Sequence, residues 1–145
     1  MKNLKITAMA LLLTAGLSAQ DLSLNDVPSS LKNSFEKAYP DARDQEWEME
    51  GDLYKVEFEI GRNDHDIWYN KDGSTYKMES ELQAADLPQA VQNTLKKSYS
   101  EYKTDDITKI EQNNKTTYKI ELEQNTGDKI LLLSSSGEVI NEMMD

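Results

Sequence analysis

The sequence contains no cysteine and only one histidine, His65. Without cysteine the chain can form neither disulfides nor thiolate metal sites, and thiol catalysis is excluded. A histidine-based metal site or catalytic dyad normally needs a second histidine or a nucleophile in a recognisable motif, and the sequence offers neither. The core alone must therefore stabilise the fold, and we expect a protein that is not an enzyme.

Glycine and proline are also sparse, with six and three residues. No glycine-rich phosphate-binding loop is present. The stretches "NDHD" at 63–66 and "NKDG" at 70–73 are rich in oxygen ligands, but the residue spacing of a calcium-binding loop is missing. Turn formation accounts for both stretches, so we expect no cofactor and no metal site.

Only one apolar run is long, "ITAMALLLTAGL" at residues 6–17. Lys2 and Lys5 precede it, and "LSAQ" follows it with a cleavage site expected after Ala19. This arrangement is typical of a signal peptide, which we assign to residues 1–19, and the run is too short for a stable membrane anchor. The alternative is a buried N-terminal helix.

Cleavage would release about 125 residues into the periplasm or the medium. No cysteine follows the apolar run, so a bacterial lipid anchor is excluded, and no other run is long enough to cross a membrane. We therefore expect a periplasmic or secreted protein that has no membrane anchor after signal cleavage.

The chain is strongly acidic, with 27 Asp and Glu residues against 16 Lys and Arg residues and a net charge of −11. Loss of Lys2 and Lys5 with the signal peptide would take this charge to −13. Such a surface repels phosphate backbones, so we expect no nucleic-acid partner. It favours cations or a basic partner, although a need for solubility would also explain the charge.

One stretch of the sequence occurs twice. "DVPSSLKNSFEKAYP" begins at Asp26, and "DLPQAVQNTLKKSYS" begins sixty residues later at Asp86. Each copy predicts a helix with proline at its first position, an acidic residue ahead of it, and apolar residues at helical spacing. We expect Phe35 and Leu95 to be central core residues. The predicted apolar face of the first helix consists of Leu31, Phe35, Ala38 and Tyr39.

Alternating patterns follow each predicted helix. "LYKVEFEI" at 53–60 and "TYKIELE" at 117–123 place apolar side chains on one face of a strand and charged side chains on the other. Two further strands are predicted after each of these, separated from one another by a glycine turn. Their ranges are 64–70 and 75–82 in the first copy, and 128–134 and 138–144 in the second.

A weaker strand is predicted around Trp47, with Ile107 and Ile110 as its counterparts in the second copy. The spacing of three between these isoleucines breaks strict alternation, so we expect a β-bulge there. The predicted fold class is α+β. Two tandem helix-plus-four-strand repeats, residues 20–83 and 84–145, would share one antiparallel sheet and carry both helices on one face.

The two copies resemble a known family. The stretches "VPSSLKNSFEKAYPDA", "YKVEFEI" and "WYNKDGS", with "LPQAVQNTLKKSY", "YKIELE" and "SSGEVI", are similar to the PepSY-like, beta-lactamase-inhibitor-like proteins exported by Bacteroidetes. The resemblance implies tandem units in one curved antiparallel sheet, no known catalytic residues and no established ligand. The namesake inhibitor binds an enzyme across its concave sheet face, but it relies on disulfides that this chain lacks. The second copy departs from the pattern: Ser136 stands where Asp72 precedes glycine, and Ile107 or Ile110 replaces Trp47.

One face of the predicted sheet carries the candidate binding site. If Ile67 and Tyr69 point to the core, Trp68 faces solvent, and the same alternation turns Ile130 and Leu132 outward. An apolar patch surrounded by charge is typical of a binding surface. The alternatives are that loops or the N-terminal tail cover these residues, or that the strand is shifted by one residue. The candidate partner-binding residues are Trp68, Ile130, Leu132, Glu57, Glu59, Glu121 and Glu123.

These features together predict an exported, non-catalytic binding or inhibitor-like protein. It would use the open face of its sheet against a protein partner in the cell envelope or outside the cell. The alternative function is an acidic-face carrier of cations or of a small ligand in the periplasm, and a weak enzyme is the third possibility.

Overall fold

The computed structural model of the protein describes residues 20–144, so the predicted signal peptide lies outside the described residues. No helix within residues 20–144 is long and apolar enough to cross a membrane. The elements are β1 (Gln20–Asp21), α1 (Ser29–Ala38), β2 (Arg43–Glu50), β3 (Leu53–Ile60), β4 (Asn63–Tyr69), β5 (Thr75–Glu81), a 3-10 turn (Ala84–Asp86), α2 (Gln89–Ser98), β6 (Lys103–Gln112), β7 (Lys115–Glu123), β8 (Lys129–Ser134) and β9 (Val139–Met144).

The nine strands form a single antiparallel sheet in which they lie in chain order from β1 to β9. This arrangement confirms the predicted α+β class and the antiparallel pairing. The sheet is open, with β1 at one edge and β9 at the other. A helix followed by four strands occurs twice along the chain, because α1 precedes β2 to β5 and α2 precedes β6 to β9.

Two clusters of buried side chains hold the helices against the sheet. α1 contributes Leu31 and Phe35 to the first cluster, and α2 contributes Val91 to the second. The Phe35 ring is central, since its centroid lies 4.9 Å from that of Phe58 and 5.5 Å from that of Trp47, both edge to face. The prediction that Phe35 is a core residue is therefore confirmed.

The helices differ from the prediction in three details. Leu95 is only partly buried, because α2 turns Val91, one helical turn earlier, most directly onto the sheet. Ala38 is exposed, since it lies in the last turn of α1. Pro28 and Pro88 precede the first helical residue instead of occupying that position, because their ψ angles of 130° and 144° are extended.

The strand register places both clusters on the same side of the sheet. Ile67 lies opposite Val56 on β3 and Met78 on β5, and Met78 lies opposite Glu111 on β6. Glu111 and Ile107 are four residues apart in one continuous register, so their side chains share that face. Both helices therefore pack on this side. We call the opposite side, which carries Trp68, the open face.

The predicted bulge between Ile107 and Ile110 is wrong. These residues lie in a continuous register with β7 and point to opposite faces, which explains their spacing of three. The bulge in β6 comes earlier, between Thr104 and Ile107, and a matching one lies in β2 between Arg43 and Glu46.

The single histidine lies on the helix-covered face between the two clusters. The Nδ1 atom of His65 is 3.0 Å from the Oγ atom of the buried Ser80, and the Phe58 ring stacks on the imidazole at 5.2 Å between centroids. Burial lowers the pKa of His65, and Lys109 acts in the same direction against the opposing effect of Asp64. The imidazole is therefore a neutral, packed strand residue at pH 7.

Candidate binding face

The first half of the open face, on β3 to β5, is built from residues that lie directly opposite one another across the strands. Such pairs are about 5 Å apart, so each row of side chains forms a continuous surface. Two neighbouring rows run across these three strands: Lys55, Trp68 and Lys77 in one, and Glu57, Asp66 and Glu79 in the other.

Trp68 lies on the open face, as the alternation of β4 predicts, but the expectation that it faces solvent is wrong. Only 6% of its surface is exposed. The Nζ atoms of Lys77 and Lys55 lie 3.6 Å and 5.2 Å from its ring centroid, and the indole Nε1 donates a hydrogen bond of 2.6 Å to Glu50. The two lysine stems cover the indole while their charged ends attract its π face. We call Lys55 and Lys77 the lysine cover.

Carboxylates hold the lysine cover in place. Lys55 forms ion pairs with Glu57, with Glu48 at 3.2 Å and with Asp66 at 4.0 Å. Burial alone would lower the pKa of Lys55, but these carboxylates outweigh burial and raise it. Lys77 pairs with Glu79 at 3.0 Å. Trp68 is therefore enclosed by lysines that are themselves held by ion pairs, Lys55 to the neighbouring strands β2 and β4 and Lys77 within its own strand.

Asp66 lies at the centre of the carboxylate row, between Glu57 and Glu79. Burial raises the pKa of Asp66 to about 6, and the two glutamates add to this rise, while Lys55 and Lys77 oppose it. The row therefore takes up a proton in mildly acidic solution, at a pH where exposed carboxylates stay ionised.

An acidic notch of about 280 Å³ adjoins this row on β4, β5 and β6. Within residues 20–144, no group of three or more His, Asp or Glu side chains is placed so that it could hold a metal ion. The notch adds negative charge to this part of the open face. Its lining residues are Asp64, Asp66, Glu79, Ser80, Glu81, Asp106 and Thr108.

The second half of the open face, on β6 to β9, is less charged. Ile130 and Leu132 point to this face and are half-buried, and their cross-strand partners on β9 are Met143 and Asn141. Ile110 on β6 faces the same way, opposite Glu79. The half is therefore a mixed apolar and polar surface beside an acidic one.

The predicted grouping of Trp68 with Ile130 and Leu132 is wrong, although all three residues share the open face. Four strand spacings separate β4 from β8, which corresponds to roughly 19 Å. The strands lie in chain order, so residues from the two copies of the repeat occupy different halves of the sheet.

The predicted glutamates are divided in the same way. Glu57 and Glu59 lie on β3, where Glu57 pairs with Lys55 and Glu59 is exposed. Glu121 and Glu123 lie on β7, and they pair with Lys119 at 2.6 Å and with Lys103 at 3.1 Å. The four carboxylates therefore flank two separate regions and do not form one ring around Trp68.

Sequence reasoning missed Lys55, Lys77 and Asp66 as parts of the site. The alternation of β3 and β5 already turns both lysines to the open face. Their contact with Trp68, however, depends on the register between β3, β4 and β5, which no single-strand pattern supplies.

Comparisons with known proteins agree with this architecture. The family described as "Putative beta-lactamase-inhibitor-like, PepSY-like" matches residues 17–61 and 52–141. A DUF2874 family protein from Bacteroides uniformis has 18% sequence identity and a TM-score of 0.71, with 81% of this chain and 89% of that chain covered. A BLIP-like protein from Bacteroides fragilis has 24% identity and a TM-score of 0.67, with 79% and 84% covered.

A third solved structure, described as "putative periplasmic proteins" from Bacteroides eggerthii, has 19% identity and a TM-score of 0.71, with 81% of this chain and 88% of that chain covered. No curated protein matches the chain. At these identities the solved structures establish the shared fold only. The family match spans most of the sequence, and the chain therefore belongs to the PepSY-like, beta-lactamase-inhibitor-like family.

Proposed function

We propose that the protein is an exported, non-catalytic, inhibitor-like binding protein whose open face engages a basic protein in the cell envelope or outside the cell. The observation that carries this proposal is the division of the open face. Its acidic half on β3 to β5 is continuous with its mixed apolar and polar half on β6 to β9. Such a surface offers both charge steering and apolar burial to one partner.

Charge complementarity selects the kind of partner. The chain has a net charge of −11, and the acidic notch adds a local concentration of carboxylates to the open face. A basic protein surface would be attracted from a distance and would find carboxylates for its lysines and arginines. The apolar part of that surface would pack on Ile130, Leu132 and Met143.

Trp68 enters this proposal as a covered anchor. Basic side chains of a partner would compete with Lys55 and Lys77 for Glu57, Asp66 and Glu79, because all of them are cations seeking the same carboxylates. Moving the lysine cover would expose the indole, which can bury a large rigid area in an interface.

We also infer that the chain is a tandem duplication with a curved sheet. The repeated order of helix and four strands supports this inference, as do the matching bulges in β2 and β6 and the two regions matched by the family. Export is supported by the signal-like residues 1–19 and by the description of a structural neighbour as periplasmic. Within residues 20–144, no group of side chains on the acidic face is placed to hold a metal ion, so the proposal keeps the protein partner ahead of the acidic-face carrier.

The experiment compares two variants that make the same charge change on opposite sides of the sheet. Glu59→Lys alters an exposed residue of the open face, and Glu36→Lys alters an exposed residue of α1. Each variant and the wild type, beginning at residue 20, is immobilised and exposed to envelope extract, and the captured proteins are identified by mass spectrometry.

We expect a basic protein that the wild type and Glu36→Lys capture and that Glu59→Lys loses. Retention of the same protein by Glu59→Lys would show that the open face is not the binding surface. Equal loss in both variants would show that net charge, and not this face, controls capture.

A further inference from the structure

A cavity of about 570 Å³ lies at one end of the sheet, where Gln112 in its lining is the cross-strand partner of Lys77. The turn between β4 and β5 forms one wall, and the hairpin between β6 and β7 forms the other. The cavity therefore lies where the first helix-and-four-strand unit meets the second. Its volume is within the range of about 300–1,000 Å³ that is usual for small-ligand sites, which often lie between structural units.

An aromatic ring is placed at this cavity by a β-bulge. Trp68 lies opposite Lys77, whereas Tyr69 lies opposite Thr75, so Tyr76 has no cross-strand partner on β4. Bulges redirect a side chain out of the regular alternation. Tyr76 lines the cavity and remains 42% exposed, which leaves its ring available to a ligand.

The opposite wall presents amide groups. Asn113 and Asn114 form the two-residue turn of the β6–β7 hairpin, with φ angles of 52° and 58°. Both asparagine and glycine are favoured in such a left-handed turn, and asparagine adds an amide group to the hairpin end. Together with Gln112 they line the cavity with groups that each donate and accept hydrogen bonds.

The charges in the lining of this cavity balance, although the chain as a whole has a net charge of −11. Glu111 and Lys115 are the charged residues in its lining, one of each sign. A cation or an anion would therefore find no net attraction here. The lining suits a neutral ligand with many hydroxyl groups and at least one apolar face.

We propose that this cavity binds a neutral carbohydrate. The ring of Tyr76 packs against the C–H face of a sugar, and the amides of Gln112, Asn113 and Asn114 exchange hydrogen bonds with its hydroxyls. Each hydroxyl is both donor and acceptor, as each amide is. This inference is independent of the proposed binding of a basic protein on the open face.

The second unit supplies a matched control. Its fourth strand has the same bulge, since Leu132 lies opposite Asn141 and Leu133 lies opposite Val139, which leaves Ile140 without a partner. Ile140 is 45% exposed, close to the value for Tyr76. Because β9 is an edge strand, no hairpin wall faces Ile140 across a further strand.

The test is an NMR titration of the ¹⁵N-labelled protein with maltotriose, cellotriose and N,N′,N″-triacetylchitotriose as probes. Each probe is used up to about 10 mM, ten times a Kd of about 1 mM for weak binding. Pullulan, a soluble polymer of maltotriose units, is titrated in the same way, and signal shifts with it show that the cavity accepts sugar units within a polysaccharide as well as free oligosaccharides. The variants are Tyr76→Ala, the double variant Asn113→Gly with Asn114→Gly, and the control Ile140→Ala.

We expect at least one trisaccharide to shift amide signals in residues 70–76 and 111–116. The Tyr76→Ala and double-glycine variants should bind at least tenfold more weakly, while Ile140→Ala binds like the wild type. Glycine keeps the left-handed turn, so the double variant removes the amides without unfolding the hairpin. No shifts with any of the probes, or shifts that survive in Tyr76→Ala, would overturn the proposal.

Discussion

Replacing Asp66 with asparagine should stabilise the protein at neutral pH, although Asp66 belongs to an ion-pair network. The pKa of Asp66 is raised from 3.8 to about 6, mainly because the carboxyl group is buried and also because Glu57 and Glu79 lie beside it. The folded state therefore holds this proton more tightly than the unfolded state does.

The sign of the effect follows from proton binding. Between pH 4 and 6 the folded state binds more protons at Asp66 than the unfolded state, so the free energy of unfolding falls as the pH rises through this range. The folded carboxyl is half ionised at its pKa of about 6, so the decrease in the free energy of unfolding becomes complete and constant only above about pH 7. The shift of about 2 units corresponds to about 3 kcal/mol as an upper limit. Since the side chain is 32% exposed, solvent screening reduces the expected value to about 1–2 kcal/mol.

The assay is urea unfolding of the wild type and Asp66→Asn at pH 4 and at pH 7.5. We expect the variant to be more stable by about 1–2 kcal/mol at pH 7.5 and by much less at pH 4. Glu59→Gln is the control, since this glutamate is exposed on the same face. If Asp66→Asn is less stable than the wild type at pH 7.5, the ion pair with Lys55 outweighs burial, and the predicted cost of ionising Asp66 is wrong.

Three further predictions concern packing. Phe35→Ala should lower the free energy of unfolding by about 3–5 kcal/mol, because Phe35 is 1% exposed. Leu95→Ala should lower it clearly less, because Leu95 is half-buried, and equal decreases for the two variants in urea unfolding would contradict the packing described. Gly73 and Gly137 both have positive φ, so alanine strains the backbone at either position. Gly137→Ala should lower the Tm more than Gly73→Ala, because only a Cβ at Gly137 would lie 2.5 Å from the Ala90 carbonyl oxygen, and equal decreases in Tm would argue against that close approach. In a Trp47→Phe background, Lys77→Ala should increase acrylamide quenching of Trp68, while Lys71→Ala should not; unchanged quenching would mean that the lysine stem does not cover the indole.

Much of the local structure could be predicted from the sequence. Strict alternation in 53–60 and 64–70 gives the side of the sheet that Val56, Ile67 and Trp68 occupy, because one strand's pattern determines which side chains share a face. The repeated Pro-led segments likewise give the two helices to within one residue.

Relations between elements were harder to predict. The burial of Trp68 depends on lysines from two other strands, and the distance from Trp68 to Ile130 depends on the strand order in the sheet. The partial exposure of Leu95 depends on the rotation of α2 about its axis. In each case the deciding partner is distant in sequence, so no local pattern specifies it.

The central claim is that the open face binds the partner, and carboxylate footprinting tests it directly. Carbodiimide labelling of the protein, alone and with the captured basic protein, is read by mass spectrometry at individual glutamates. We expect the partner to protect Glu57, Glu59 and Glu121 on the open face and to leave Glu36 and Glu101, which lie outside it, unprotected. Protection of Glu36 and Glu101 with unchanged labelling of Glu59 and Glu121 would contradict the claim.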